Sequence, residues 1–233
     1  MNTVKRKCET CNHHNCFINK HVSDEWKPII TFNKTSTNYP EGATIFSEGE
    51  PVKGIFEIYS GKIKVVSSYG TKMERIICLT TSEQILGYQG LGGDMIYPVT
   101  AITLEPSQVT FIPIDIFYKA VKANPEMALY LVKFFADRLK ATQVRMKQNS
   151  EMTAKEKVMV AILTIIKSFG FDKQDSSLLS FTPSRKDIAS LSDTTYETVI
   201  RVLGSLEKDN IIKLEGKVIR ILDFMALQKI GKV

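Results

Sequence analysis

The stretch "TPSRKDIASLSDTTYETVIRVLGSLEKDNIIKLEGKVIRILD", residues 182–223, constrains the fold more than any other part of the chain. Ser184, with Asp187 three positions on, reads as the capping box of a short helix running through Leu191. "SDTT" is a tight turn, and Thr195 then caps a second helix. On that helix Val199, Val202, Leu203 and Leu206 make an apolar face, while Tyr196, Glu197, Ile200 and Arg201 lie toward the other side. The small Ala189 stands where the two helices cross, and "IIKLEGKVIRIL" reads as a hairpin with Glu215-Gly216 at its tip. Two helices, a short turn and a hairpin make a winged helix-turn-helix, whose second helix enters the DNA major groove N-terminus first. The candidate DNA contacts are Ser184, Arg185, Thr195, Tyr196, Glu197 and Arg201, with Arg185 facing phosphate. Arg201 has the fork that hydrogen-bonds guanine, and Glu197 accepts from cytosine N4. Four residues apart, the pair also supports itself.

The chain has 233 residues, 43% of them hydrophobic, which is enough for two cores. Residues 40–118 are broken by glycine and proline into short runs such as "GIFEIYSG", "KIKVVSS", "MERIICLTT" and "QVTFIPI". "GKIKVVSS" alternates Lys62 and Lys64 with Ile63 and Val65, which predicts an antiparallel barrel or jelly roll. After Asn124-Pro125 the period changes: Ala128, Val132, Phe135, Leu139, Thr142 and Met146 recur at steps of four and three. That is the seam of a coiled coil, and a helix of this kind leaving a small β domain points to a parallel homodimer. The expected class is α+β. The expected divisions are a Cys/His-rich arm over 1–25, an effector or sensor β-barrel over 26–119, a dimerisation helix over 120–149 and the winged helix-turn-helix over 150–233.

In these segments the chain resembles the Crp/Fnr superfamily of bacterial transcription regulators. "EGATIFSEGEPVKGIFEIYSGKIKV" looks like that family's cyclic-nucleotide-binding-like barrel, residues 120–148 like its dimerisation helix, and "YETVIRVLGSLEKDNII" like its recognition helix. The resemblance places base reading on Glu197 and Arg201, with Tyr196 at the position that varies with operator preference. It implies a dimer on a pseudo-palindromic duplex, with recognition helices about 34 Å apart, and RNA polymerase as a partner. Asp193 departs from the usual turn glycine, but aspartate tolerates the left-handed conformation better than most residues. The family's phosphate cassette corresponds to "GYQGLGGDMIYPVTAI", so Gly87, Tyr88, Gly90, Leu91, Tyr97 and Pro98 are the candidate effector positions. Tyr88 stands in place of the cassette glutamate and Tyr97-Pro98 in place of Arg-Ser, which removes the guanidinium fork and argues against cyclic AMP or cyclic GMP.

"KCETCNHHNCFINKH", residues 7–21, holds three of the four cysteines and all three histidines. Cys8, Cys11 and Cys16 have a spacing that suits zinc or an iron–sulfur cluster, and Lys5, Arg6 and Lys7 are expected to favour thiolate. Oxygen-sensing members of the resembled family carry a similar group plus a fourth cysteine, at whose place this chain has Thr110. The fourth ligand is left open among Cys78, His13, His14 and His21, or is absent. No charge-free apolar run reaches the roughly 18 residues of a membrane helix, so a cytoplasmic, non-membrane protein is expected, in a compartment where thiols stay reduced. The regulator reading implies no enzyme activity. Two other classes stay open: a thiol–disulfide redox enzyme using Cys8 and Cys11, and a small-ligand-binding module without DNA function. A redox site of that type sits at a helix N-terminus after a strand, and nothing before Cys8 reads as a strand.

Overall fold

The computed structural model describes residues 3–4, 6–11, 13, 16–68, 74–149 and 152–231. The chain divides into two compact units, one made of residues 1–67 and 80–144, the other of 68–79 and 145–233. In chain order the first part carries β1 (Thr3–Val4), α1 (Phe17–His21), α2 (Trp26–Asn33), β2 (Thr35–Tyr39), β3 (Thr44–Phe46), β4 (Gly54–Ser60), β5 (Lys62–Ser67), β6 (Arg75–Thr81) and β7 (Ile85–Leu86). A single 3-10 turn over Tyr88–Gly90 follows, then β8 (Thr100–Thr103), β9 (Ser107–Pro113), α3 (Ile114–Ala123) and α4 (Pro125–Asn149). The strands form two sheets, in the orders β1-β2-β9-β4-β7 and β3-β8-β5-β6.

Lys62 and Lys64 lie half-buried on β5 while Ile63 and Val65 are fully buried, the alternation of a one-sided strand. β4 behaves differently. It pairs with β9 along one edge and β7 along the other, and its residues from Gly54 to Ile58 are all buried, Glu57 included. Gly54 is required there, since a Cβ would come within 2.2 Å of the Ile112 carbonyl oxygen.

The N-terminal segment, expected as an arm apart from the barrel, is part of the core. Phe17, Ile18, Val22 and Ile30 pack in one cluster with Ile55, Ile112, Phe117, Met127 and Leu131, joined by Cys8 and Cys16. Asn124, itself buried, fastens the segment: its Oδ1 accepts from the Ser23 amide at 2.8 Å and its Nδ2 donates to the Ala120 carbonyl at 2.7 Å. A strand does precede Cys8, contrary to expectation, with Thr3 opposite Thr37 and Val4 opposite Ser36. No helix starts at Cys8: Cys8–Cys11 form a turn closed by the Cys11 amide on the Cys8 carbonyl, and α1 begins only at Phe17.

Helix α4 has two faces. Met127 and Leu131 are buried on the barrel side, with Phe134 half-buried beside them. The expected seam lies on the other side: Val132, Phe135, Leu139 and Met146 are exposed, Val132 at 66% and Leu139 at 61%.

The second unit carries α5 (Ala154–Phe169), α6 (Arg185–Ser192), α7 (Tyr196–Lys208), β10 (Ile212–Glu215), β11 (Val218–Ile221) and α8 (Phe224–Gly231). A full capping box opens α5, formed by Thr153 and Glu156. Val158, Met159, Ile162, Ile165, Ile188, Val199, Leu206, Ile212, Ile219 and Leu227 are buried, where α5 packs on α6, α7 and α8. The hairpin turns at Gly216-Lys217, one residue later than its expected tip, with Glu215 opposite Val218 and Gly216 at φ +63°. No helix among the described residues is long and apolar enough to cross a membrane.

Candidate functional site

The two-helix unit of α6 and α7 is assembled from short-range bonds. Ser184 caps α6, its hydroxyl accepting from the Asp187 amide at 3.1 Å. Asp193 ends that helix in the left-handed region, at φ 52° and ψ 48°, and the Thr194 amide donates back to the Ala189 carbonyl at 3.1 Å. Thr195 caps α7 through the Thr198 amide at 3.2 Å. The turn therefore holds without the usual glycine. Val199, Val202, Leu203 and Leu206 are buried, leaving Tyr196, Glu197, Ile200 and Arg201 exposed on the opposite face. Arg185 donates to the Lys217 carbonyl at 3.2 Å, so it ties α6 to the wing tip. Arg220 has a structural role in the wing, pairing with Glu215 at 3.2 Å and with Asp175. The Ser177 hydroxyl, with Arg220, holds the Asp175 carboxyl well below the usual carboxylate range. Thr153, Ala154, Lys155 and Ser205 border a groove with Arg201. The capping pattern at Thr153 and Glu156 was present in the sequence as a sign that the start of α5 is ordered.

The candidate effector positions pack in two different places. Tyr97 is buried inside the barrel, its hydroxyl donating to the Gly54 carbonyl at 2.8 Å and its ring stacked on Phe46 at 4.3 Å. Tyr88 instead meets the edge of Phe134 at 4.8 Å. Gly87 holds φ +83° ahead of the 3-10 turn, and a Cβ on Gly90 would strike Val52. Leu91 packs half-buried on the core, and Pro98 is exposed.

The cysteine-rich stretch closes over a cavity of about 20 Å³, room for roughly one water. Cys8, Cys11, Cys16 and His13 line it from the loop, with Glu57 and Tyr59 on β4 and Thr110 on β9. Asn19 organises the loop, donating to the Cys11 carbonyl at 3.4 Å and the His13 carbonyl at 3.1 Å. The Cys8 amide donates to Thr31 Oγ1 at 2.9 Å. Tyr59 is sandwiched between the His13 ring, stacked at 4.2 Å, and the Arg6 guanidinium at 3.6 Å. All four cysteines are free of disulfides. Among the described residues, no three His, Cys, Asp or Glu side chains converge on one point.

Lys34 places a cation at sulfur, its Nζ 2.9 Å from Cys8 Sγ, while Arg6 of the 5–7 run lies over Tyr59. Lys5 lies outside the described residues. Burial, and then the neighbouring Glu57, push the Cys16 thiol up, and burial likewise raises the Glu57 carboxyl. Of the described candidate fourth ligands, His13 alone borders the cavity. His21 stacks on Tyr130 at 4.1 Å, Cys78 sits on β6, and His14 lies outside the described residues. Glu57 and Lys34 are the polar members that sequence reasoning missed.

Comparison with known proteins agrees with both regions. The family described as "Cyclic nucleotide-binding domain" matches residues 36–124, and "Crp-like helix-turn-helix domain" matches 157–230. The chain is 29% identical over 213 residues to the Anaerobic regulatory protein of Pasteurella multocida, covering 90% of this chain and 76% of that protein. It is 26% identical over 219 residues to the Fumarate and nitrate reduction regulatory protein of Vibrio cholerae, covering 93% and 85%. The structure of FixK2 from Bradyrhizobium japonicum superposes with a TM-score of 0.74 at 20% identity, over 84% of this chain and 96% of that one. These relatives are regulators rather than enzymes, and the buried Cys8 in a turn gives the redox-enzyme reading no support. The chain belongs to the Crp/Fnr superfamily of transcription regulators, with a cyclic-nucleotide-binding-like barrel and a DNA-binding helix-turn-helix.

Proposed function

We propose that this regulator binds a pseudo-palindromic operator as a parallel homodimer in the cytoplasm, contacts RNA polymerase there, and reports oxygen or redox state through a metal centre at its N-terminal cysteines. The observation that carries the reading is that one chain combines an exposed polar face on α7 with a cysteine-lined cavity built into the barrel core. Arg201 and Glu197 read base edges, Tyr196 tunes operator preference, and Ser184, Thr195 and Arg185 meet the backbone. The apolar stripe on α4 supports the dimer, since one chain leaves Val132, Leu139 and Met146 largely exposed. Relatives named for anaerobic regulation support the redox reading.

Relatives named for anaerobic regulation favour an iron–sulfur centre over zinc. Three thiols border one cavity, but among the described residues they do not converge on one point and the space holds roughly one water, so holding a centre requires the loop to rearrange. Cys8, Cys11 and Cys16 would hold it, and when bound such a centre supplies oxidant-sensitive metal–sulfur ligation. Because Cys8 and Cys16 belong to the same core as Met127 and Leu131 of α4, ordering this loop and ordering the dimer helix are linked equilibria. Tyr97 filling the barrel interior favours a regulator that takes no cyclic nucleotide.

The test is anaerobic purification followed by DNA-binding titration with and without oxygen. The expected result is bound iron and operator affinity that falls on exposure to air. Metal-free protein binding DNA equally in both conditions refutes the sensing role, and a stable monomer in sedimentation refutes the dimer.

A further inference from the structure

We propose that Cys8 and Cys11 are a redox-modification site that closes a reversible disulfide, with peroxide as the oxidant. The inference rests on the redox reading of this stretch and needs no metal.

The turn supplies the geometry. Cys8 and Cys11 are the first and fourth residues of a turn closed by the Cys11 amide on the Cys8 carbonyl at 3.3 Å. A turn of this kind keeps its end Cα atoms within about 7 Å, and a disulfide spans Cα atoms about 4.4–6.8 Å apart. Both residues line the same small cavity. Both ends of the turn are also pinned. The Cys8 amide donates to Thr31 Oγ1 at 2.9 Å, the Thr31 hydroxyl donates to Glu9 at 2.8 Å, and Asn19 donates to the Cys11 carbonyl at 3.4 Å. Closing the bond therefore needs side-chain rotation and little movement of the backbone.

The cysteines around the cavity are not equivalent. Cys16 is buried at the start of α1 and its thiol hydrogen-bonds the Glu57 carboxyl, which keeps it out of the exchange. Cys8 is buried too, but Lys34 Nζ donates to its sulfur at 2.9 Å, so the charge that sulfur carries as a nucleophile meets an ammonium at contact. Cys11 is half-buried and follows the exposed Glu9 and Thr10, so peroxide from solvent reaches it first. Cys11 is thus the oxidised residue and Cys8 the resolving one.

In the first step the Cys11 sulfur attacks one peroxide oxygen. The O–O bond breaks, an S–O bond forms, and the thiol proton leaves with the departing hydroxide as water, giving the sulfenic acid. In the second, Cys8 sulfur attacks Cys11 sulfur; the S–O bond breaks, and the hydroxide takes the Cys8 proton to become a second water. Two thiols and one peroxide give one disulfide and two waters.

The test uses the full-length, metal-free protein, treated with one equivalent of hydrogen peroxide, alkylated and digested with trypsin. The peptide of residues 8–20 should carry the Cys8–Cys11 disulfide with Cys16 alone alkylated, and dithiothreitol should reverse it. Lys34→Met should slow closure about tenfold while dimedone-trapped sulfenic acid on Cys11 rises; Lys34→Arg, which keeps a cation at the sulfur, should retain most of the rate and decides the matter if Lys34→Met folds poorly. Cys16→Ser should close as the unmutated protein does. A disulfide through Cys16, Cys11 running on to sulfinic acid unresolved, or equal rates in all three Lys34 forms overturns the assignment. Operator binding that is the same for dithiol and disulfide forms overturns this site as the redox readout and leaves its chemistry intact. Operator binding that falls in air with no disulfide formed overturns the inference and leaves the redox reading standing.

Discussion

Replacing Asn124 with alanine isolates the fastening between the cysteine-bearing segment and the start of α4. The side chain makes two neutral hydrogen bonds, from the Ser23 amide at 2.8 Å and to the Ala120 carbonyl at 2.7 Å, and is 4% exposed. Each bond contributes about 1 kcal/mol net. The Ala120 carbonyl keeps the Asn124 backbone amide at 3.0 Å, and Ser23 is exposed enough for water to replace part of its loss. The small void left in a closed core adds to the cost, so about 2–3 kcal/mol is expected in total. Ser23 opens α2, accepting from the Trp26 and Lys27 amides, and α2 carries Thr31, which holds the Cys8 amide. The loss should therefore appear as local opening of residues 16–33. Hydrogen–deuterium exchange of peptides from that segment should quicken by roughly 30- to 150-fold in Asn124→Ala. Asn124→Asp keeps the acceptor for Ser23 and should show a clearly smaller effect. Less than threefold acceleration in the alanine variant, or equal acceleration in both, would refute the view that this side chain couples the segment to the helix.

Other outcomes follow from the same structure. Arg201→Ala should cost about 1–3 kcal/mol on the cognate operator and flatten discrimination among base substitutions in anisotropy titrations, whereas Arg185→Ala should weaken all sequences alike and lower the salt slope. Leu139→Glu places a charge in the exposed stripe of α4 and should convert the proposed dimer to monomer in sedimentation, with operator binding lost. Thr195→Ala removes the cap of α7 and should lower the stability of the DNA-binding unit by about 1 kcal/mol in thermal unfolding. The depressed Asp175 carboxyl gives the wing stability that is present above the ordinary carboxylate range and lost as pH falls below about 4. Asp175→Asn should accordingly narrow the melting-temperature gap between pH 7 and pH 3.

The winged unit was legible because its signals are local. Capping hydroxyls at Ser184 and Thr195 sit three residues before the amides they satisfy, and the apolar face of α7 repeats every three or four positions. The wing tip moved by one residue because Glu215 and Val218 pair across Gly216-Lys217, a register set by the strands rather than by the most turn-like dipeptide. The N-terminal segment was harder to read. Its cysteines and histidines obscure a second pattern, Phe17, Ile18, Val22 and Ile30, which is the apolar face that buries it. Glu57 was hidden for a topological reason: within "GIFEIYS" an acidic residue reads as the solvent side of a strand. Only the pairing of β4 with neighbours on both edges, beneath the cysteine loop, shows that it is enclosed.

Helix α4 is about 37 Å long at the usual rise of about 1.5 Å per residue, yet only its first three turns rest on the barrel. From Phe135 to Lys147 every side chain whose burial is described is exposed. A helical segment of that length is marginal in water without packing. Under the proposed dimer its order is borrowed from association, and folding of this half of α4 becomes second order in protein. The melting temperature should rise with chain concentration. On that reading the abundance of the regulator is itself an input, setting how much of the population has a formed stem.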